Sequence, residues 1–146
     1  MRAFVAGLAL VALSACGGDS STARTSESVV GSWALQTYNG RPLPFTGSAN
    51  ADGSINRVDS GTIAFDASRN YVLGIKIVNT LGATVTRQDY DEVGSYSGTA
   101  TTGVTLKPND LSGGTSTATF ATVPVTVSGN TLSFSQQGKV LTFARP

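Results

Sequence analysis

The chain has 146 residues, of which 40% are hydrophobic and 13% charged, with a formal charge of +1 and no histidine. That suffices for one domain with its own core and a surface carried by Ser, Thr, Asn and Gly. A near-neutral chain without a basic block has no electrostatic footprint for nucleic acid, and a chain without histidine lacks the usual general base and the commonest transition-metal ligand.

Residues 1–15 read as a signal peptide, expected as a short helix. Arg2 supplies a positive start, and Ala3 to Leu13 form an apolar run too short to span a bilayer. The run ends in Leu13-Ser14-Ala15-Cys16-Gly17. This resembles the lipobox of bacterial lipoproteins, in which a Leu and two small residues precede the Cys. The resemblance implies a diacylglyceryl group on the Cys16 sulfur and cleavage before Cys16. Several buried acyl chains hold a protein on a membrane where one holds only marginally. Gly17 and Gly18, not Asp, follow the Cys. Within that resemblance this favours an outer-membrane anchor facing the periplasm. Lipidation also uses the only cysteine, so no intrachain disulfide is expected.

Residues 16–28 contain no apolar side chain larger than Ala after the Cys and read as a flexible tether, with a span of roughly 20 Å. Patterned sequence begins at residue 29. Residues 29–38 alternate, with Gly31, Trp33 and Leu35 on one face, and Asn39-Gly40 is a strong hairpin-turn signal. Arg41-Pro42-Leu43-Pro44-Phe45 reads as a stiff extended lip at the barrel mouth, because two prolines remove donors. Residues 46–56 are expected to be a polar loop. Strands are expected at 57–66 (Gly61, Ile63, Phe65 inward), 70–79 (Tyr71, Leu73, Ile75, Ile77 inward), 83–90, 93–99 around Tyr96, and 103–107. A loop at 108–114 follows, then a run at 115–127 that Pro124 interrupts. Strands at 131–136 and 139–145 end the chain, the last with Leu141, Phe143 and Arg145 on one face.

Short strands with short connections and no helical period beyond the leader predict an all-β chain, a small antiparallel up-and-down β-barrel of eight to ten strands. Closure removes the exposed edges an open meander would leave. The expected layout is therefore a signal peptide at 1–15, a tether at 16–28 and a barrel domain at 29–146.

Gly31-Ser32-Trp33 on the first strand, with Arg145 at the end of the last, resembles the lipocalin and calycin pattern. There an Arg near the end of the barrel packs over the indole of a Gly-x-Trp. The longer string from Val30 to Pro44 resembles the opening of small bacterial lipocalin-like lipoproteins of unknown function. Gly31, Trp33 and Arg145 are thus the expected closure residues. A guanidinium over an indole contributes about 0.5–2 kcal/mol. The alternative is an unrelated β-sandwich with Trp33 as a core aromatic.

Other local patterns carry less. Gly94-Ser95-Tyr96-Ser97-Gly98 has Tyr where a nucleophile elbow needs Ser. Asn50 to Ser54 has calcium-like spacing without a distal bidentate Glu. The acidic group Asp89, Asp91 and Glu92 reads as a solvated hairpin tip. The sequence predicts no catalytic residue, cofactor or metal site, and the chain is expected not to be an enzyme.

Two functions fit. The first is a lipid-anchored envelope barrel that binds a small apolar ligand, with Leu35, Phe65, Tyr71, Leu73, Ile75, Tyr96, Phe120, Phe134 and Phe143 as candidate lining residues. The second is an envelope interaction module, an assembly partner or protease inhibitor, with a filled core. Expected partners are the membrane through Cys16 and either that ligand or an envelope protein. An interior void of roughly 300 Å³ or more favours the first, and a packed interior the second.

Overall fold

A computed structural model describes residues 28–112 and 121–146. The expected signal peptide, Cys16, the expected tether up to residue 27 and Phe120 lie outside the described residues. The strands are β1 (Gly31–Tyr38), β2 (Arg41–Pro42), β3 (Phe45–Ala49), β4 (Ile55–Phe65), β5 (Asn70–Leu81), β6 (Thr84–Arg87), β7 (Tyr90–Thr99), β8 (Gly103–Ser112), β9 (Val123–Ser128), β10 (Thr131–Gln136) and β11 (Lys139–Ala144).

Eight of them close an antiparallel barrel in the order β1-β11-β10-β9-β8-β7-β5-β4, returning to β1. This all-β architecture is compatible with a lipocalin-like fold. The first strand is the seam. Its start pairs with β4 (Gly31↔Phe65 to Ala34↔Thr62), and on its other side it pairs with β11 (Ala34↔Ala144 to Tyr38↔Leu141). The turns behave as their residues require. Asn39 and Gly40 both have positive φ, at 53° and 76°, the geometry that lets a two-residue hairpin follow the strand twist.

Alternation along the strands fills the cylinder. Trp33, Leu35, Ile63, Leu73, Leu106, Leu132 and Phe143 are buried, as are Phe65, Tyr71, Tyr96 and Phe134. The Phe65 ring meets Tyr96 edge-on at 5.0 Å, and Phe134 stacks on Phe143 at 5.5 Å. Gly94 makes room for one of these rings. A Cβ there would lie 2.6 Å from Cε1 of Tyr71 and would also strike the Lys107 carbonyl.

Five expectations need correction. The polar stretch at 46–56 is not all loop, since β3 pairs with the start of β4 (Phe45↔Val58, Ala49↔Ile55) and β4 begins at Ile55. The proline lip does enter a ladder briefly, because Arg41 and Pro42 pair with Tyr38 and Thr37. The stretch 108–112 is not loop but the end of β8. Pro108 sits opposite Gly94 at an irregularity in register, the kind of position where a strand tolerates a proline. The run at 83–90 is not a barrel strand: β6 pairs only with the end of β5 among the described residues. All four of its residues, Val85 included, are exposed, so nothing draws it inward. Pro124 does not interrupt its strand: it lies inside β9, opposite Thr105 of β8 and one residue beyond the last pair with β10, Phe134↔Val125.

Candidate functional site

The two ends of the barrel differ. At one end the chain enters. The Trp33 indole Nε1–H donates to the Val29 carbonyl at 2.9 Å. The Arg145 guanidinium stands 4.5 Å from the centre of the Trp33 ring, and its Nη2 donates to the Ser28 carbonyl. Nearby, Arg69 lies 5.3 Å over the Tyr96 ring and donates to the Gly98 carbonyl at 2.5 Å. This end is closed by side chains. Gly31, at the start of β1, is exposed beside them and has a φ of 120°.

The opposite end is the mouth. A pocket of about 200 Å³ opens there, lined by Tyr38, Ile75, Ile77, Tyr90, Gln136 and Leu141, with Lys139 at the rim. The lining follows from register. Tyr38 faces Leu141 across the seam, Ile75 faces Tyr90, and Gln136 faces Lys139 across the last hairpin. That hairpin turns on Gln137 and Gly138, both with positive φ.

Below this pocket lies a buried carboxylate. Glu92 is 1% exposed and accepts three hydrogen bonds. The Tyr71 hydroxyl donates to Oε1 at 2.5 Å. The Tyr90 hydroxyl and the Gln136 amide donate to Oε2 at 2.6 and 2.5 Å. A buried charge is tolerated only when its lone pairs are met in this way. Burial, and then the Glu92 carboxylate as acceptor and neighbouring charge, push the Tyr71 and Tyr90 hydroxyls well above the ordinary tyrosine value. Both remain protonated donors at neutral pH.

This corrects the reading of Asp89, Asp91 and Glu92 as one solvated tip. Asp89 is exposed and pairs with Lys76 at 2.7 Å, and Asp91 faces outward, but Glu92 points into the barrel. A signal was present, since Glu92 shares its parity along the strand with Tyr96, which any alternating reading turns inward. The residues around the pocket that sequence reasoning missed are Tyr38, Tyr90, Gln136 and Lys139. They occupy strand ends, where alternation stops being informative.

Of the candidate lining residues, Leu35, Phe65, Tyr71, Leu73, Phe134 and Phe143 form the filling of the barrel. Ile75 alone of the described ones reaches the mouth pocket, and Tyr96 borders a depression at the closed end. Beside the mouth pocket, and sharing Tyr38 and Lys139 with it, lies a second recess of about 430 Å³ lined by Asn39, Arg41, Phe45, Thr46 and Ser48. Tyr38 and Phe45 stack in it at 5.9 Å, and Arg41 lies 5.6 Å over the Phe45 ring. Among the described residues no cluster of His, Cys, Asp and Glu could hold a metal ion.

No protein-family model, curated protein or solved structure matches this chain, so its site is read from its own geometry.

Proposed function

We propose that this chain is a lipid-anchored interaction module of the bacterial cell envelope, held at the outer membrane through Cys16 and a tether ending at residue 28, and docking an envelope protein around its barrel mouth. The filled interior carries this reading. An enclosed apolar ligand of drug size needs roughly 300–1,000 Å³. Here that space is taken by Leu35, Leu73, Leu132, Phe134 and Phe143, and by a carboxylate with three donors. The closed end carries the tether attachment, with Arg145 holding Ser28. A protein tethered there presents its mouth away from the lipid. The mouth is surrounded by shallow, mixed apolar and polar recesses, the texture of a recognition surface.

Two measurements test the two halves. Cells fed a clickable fatty acid are expected to label the wild-type chain and not Cys16→Ala, and equal labelling of both would remove the anchor. Photo-crosslinkers placed at Lys139 and Gln137 in the mouth, and at Ala67 at the closed end, are expected to yield a discrete adduct from the mouth positions only. Adducts from Ala67 alone, or from no position, would reject docking at the mouth.

A further inference from the structure

We infer that the barrel mouth also binds a small amphiphilic anion, a single ring or short alkyl chain bearing a carboxylate or phosphate, with its apolar part in the mouth pocket and its charge between Lys139 and Arg41. The inference concerns a small-molecule site and goes beyond the docking of a protein.

The two recesses make one composite site because Tyr38 and Lys139 line both. One part is apolar, formed by Ile75, Ile77 and Leu141 with the Tyr38 and Tyr90 rings. At about 200 Å³ it lies below the roughly 300–1,000 Å³ of a drug-sized ligand, so it takes one ring or a short chain and not a lipid acyl chain. The other part is cationic. Arg41 and Lys139 line it and no carboxylate does, while Asn39, Thr46 and Ser48 add neutral polar groups. Elsewhere Arg57 pairs with Asp59 and Lys76 with Asp89, whereas no salt bridge among the described residues engages Arg41 or Lys139.

The polarity of the ligand follows from where donors and acceptors stand. At the floor of the pocket the Glu92 oxygens already accept from Tyr71, Tyr90 and Gln136, and they offer no donor to an anionic head group. The head group is therefore held outward, at the two cations, and the apolar part points inward. A guanidinium and an ammonium on one recess favour a carboxylate or phosphate through charge-assisted hydrogen bonds.

The test uses the full chain as isolated from cells, in zwitterionic lipid nanodiscs, observed by methyl NMR and titrated with 3-phenylpropionate, 3-phenylpropan-1-ol and 3-phenylpropylammonium. The anion is expected to shift the methyls of Ile75, Ile77 and Leu141 with a dissociation constant of about 1 mM or tighter, the range open to a ligand of this size. The alcohol and the ammonium are expected to bind at least about threefold more weakly. Lys139→Ala and Arg41→Ala are each expected to weaken the anion by about threefold to tenfold, and Arg57→Ala, whose partner is Asp59, to leave it unchanged. Equal binding of all three probes, preference for the ammonium, or unmoved methyls would overturn the inference. None of these outcomes bears on the fatty-acid labelling or crosslinking results.

Discussion

At the scale of single residues, the barrel interior is decided by one carboxylate. Glu92 is tolerated because three donors reach it from β5, β7 and β10, separated along the chain by 21, 2 and 44 residues. Removing one donor leaves a buried lone pair without water, so Tyr71→Phe is expected to cost about 1–3 kcal/mol in urea unfolding at pH 7. The same geometry sets an alkaline limit. Tyr71 and Tyr90 have their pKa raised in the folded chain, so folding holds their protons more tightly than the unfolded chain does. Below about pH 10 both states are protonated and this contribution is complete. Above it the unfolded chain releases protons the folded chain keeps, and stability is expected to fall by about 1.4 kcal/mol per pH unit for each tyrosine. Unfolding followed from neutral pH to about pH 12, in wild type and Tyr71→Phe, checks the sign, and a shallower alkaline slope is expected in the variant.

At the scale of elements, legibility tracked burial. The strands that line the cylinder on one face and water on the other announce themselves by alternation. Residues 70–77 and 131–134 alternate between buried and less buried positions as their sequence demands. β3 and β6 carry a weaker signal, because neither has a fully buried residue: β3 alternates only between half-buried and exposed positions, and β6 is exposed throughout. Their pairing is set by neighbouring strands and leaves little period to read. Glu92 was hidden for a different reason: its acceptability depends on three hydroxyl and amide groups brought together only by the fold. Gly94 shows how tightly the elements fit. A Cβ there would press on the Tyr71 ring at 2.6 Å and on the backbone of β8, the strand that must bend past Pro108. Gly94→Ala is expected to destabilise by about 1–3 kcal/mol, as overpacking of a filled core does. Gly138→Ala, at a φ of 73° with open space around it, is expected to cost about 1–2 kcal/mol through the backbone alone. Methyl and ring NMR separates the two, since only the first variant should displace the Tyr71 ring.

At the scale of the molecule, closure is a single event with two partners. β1 has to meet β4, about thirty residues on, and β11 at the far end of the chain; Ala34 belongs to both pairings, and Trp33 stands next to it on the β4 side. The indole is 1% exposed, with its N–H tied to Val29 and its face under Arg145. Arg145 in turn holds the carbonyl of Ser28, where the chain enters the domain. One contact thus joins the entry, the first strand and the last residues. A Trp33→Ala, Arg145→Ala double-mutant cycle in urea unfolding is expected to give a coupling energy of about 0.5–2 kcal/mol. The single Trp33→Ala change carries a larger cost of about 3–5 kcal/mol, because it also opens a cavity in a filled barrel. The cycle cancels that cavity term, since it enters equally in the Trp33→Ala single variant and in the double variant. A coupling of zero would mean that the arginine stabilises the seam only through the Ser28 carbonyl, and Arg145→Ala would then cost the same with or without the indole beneath it.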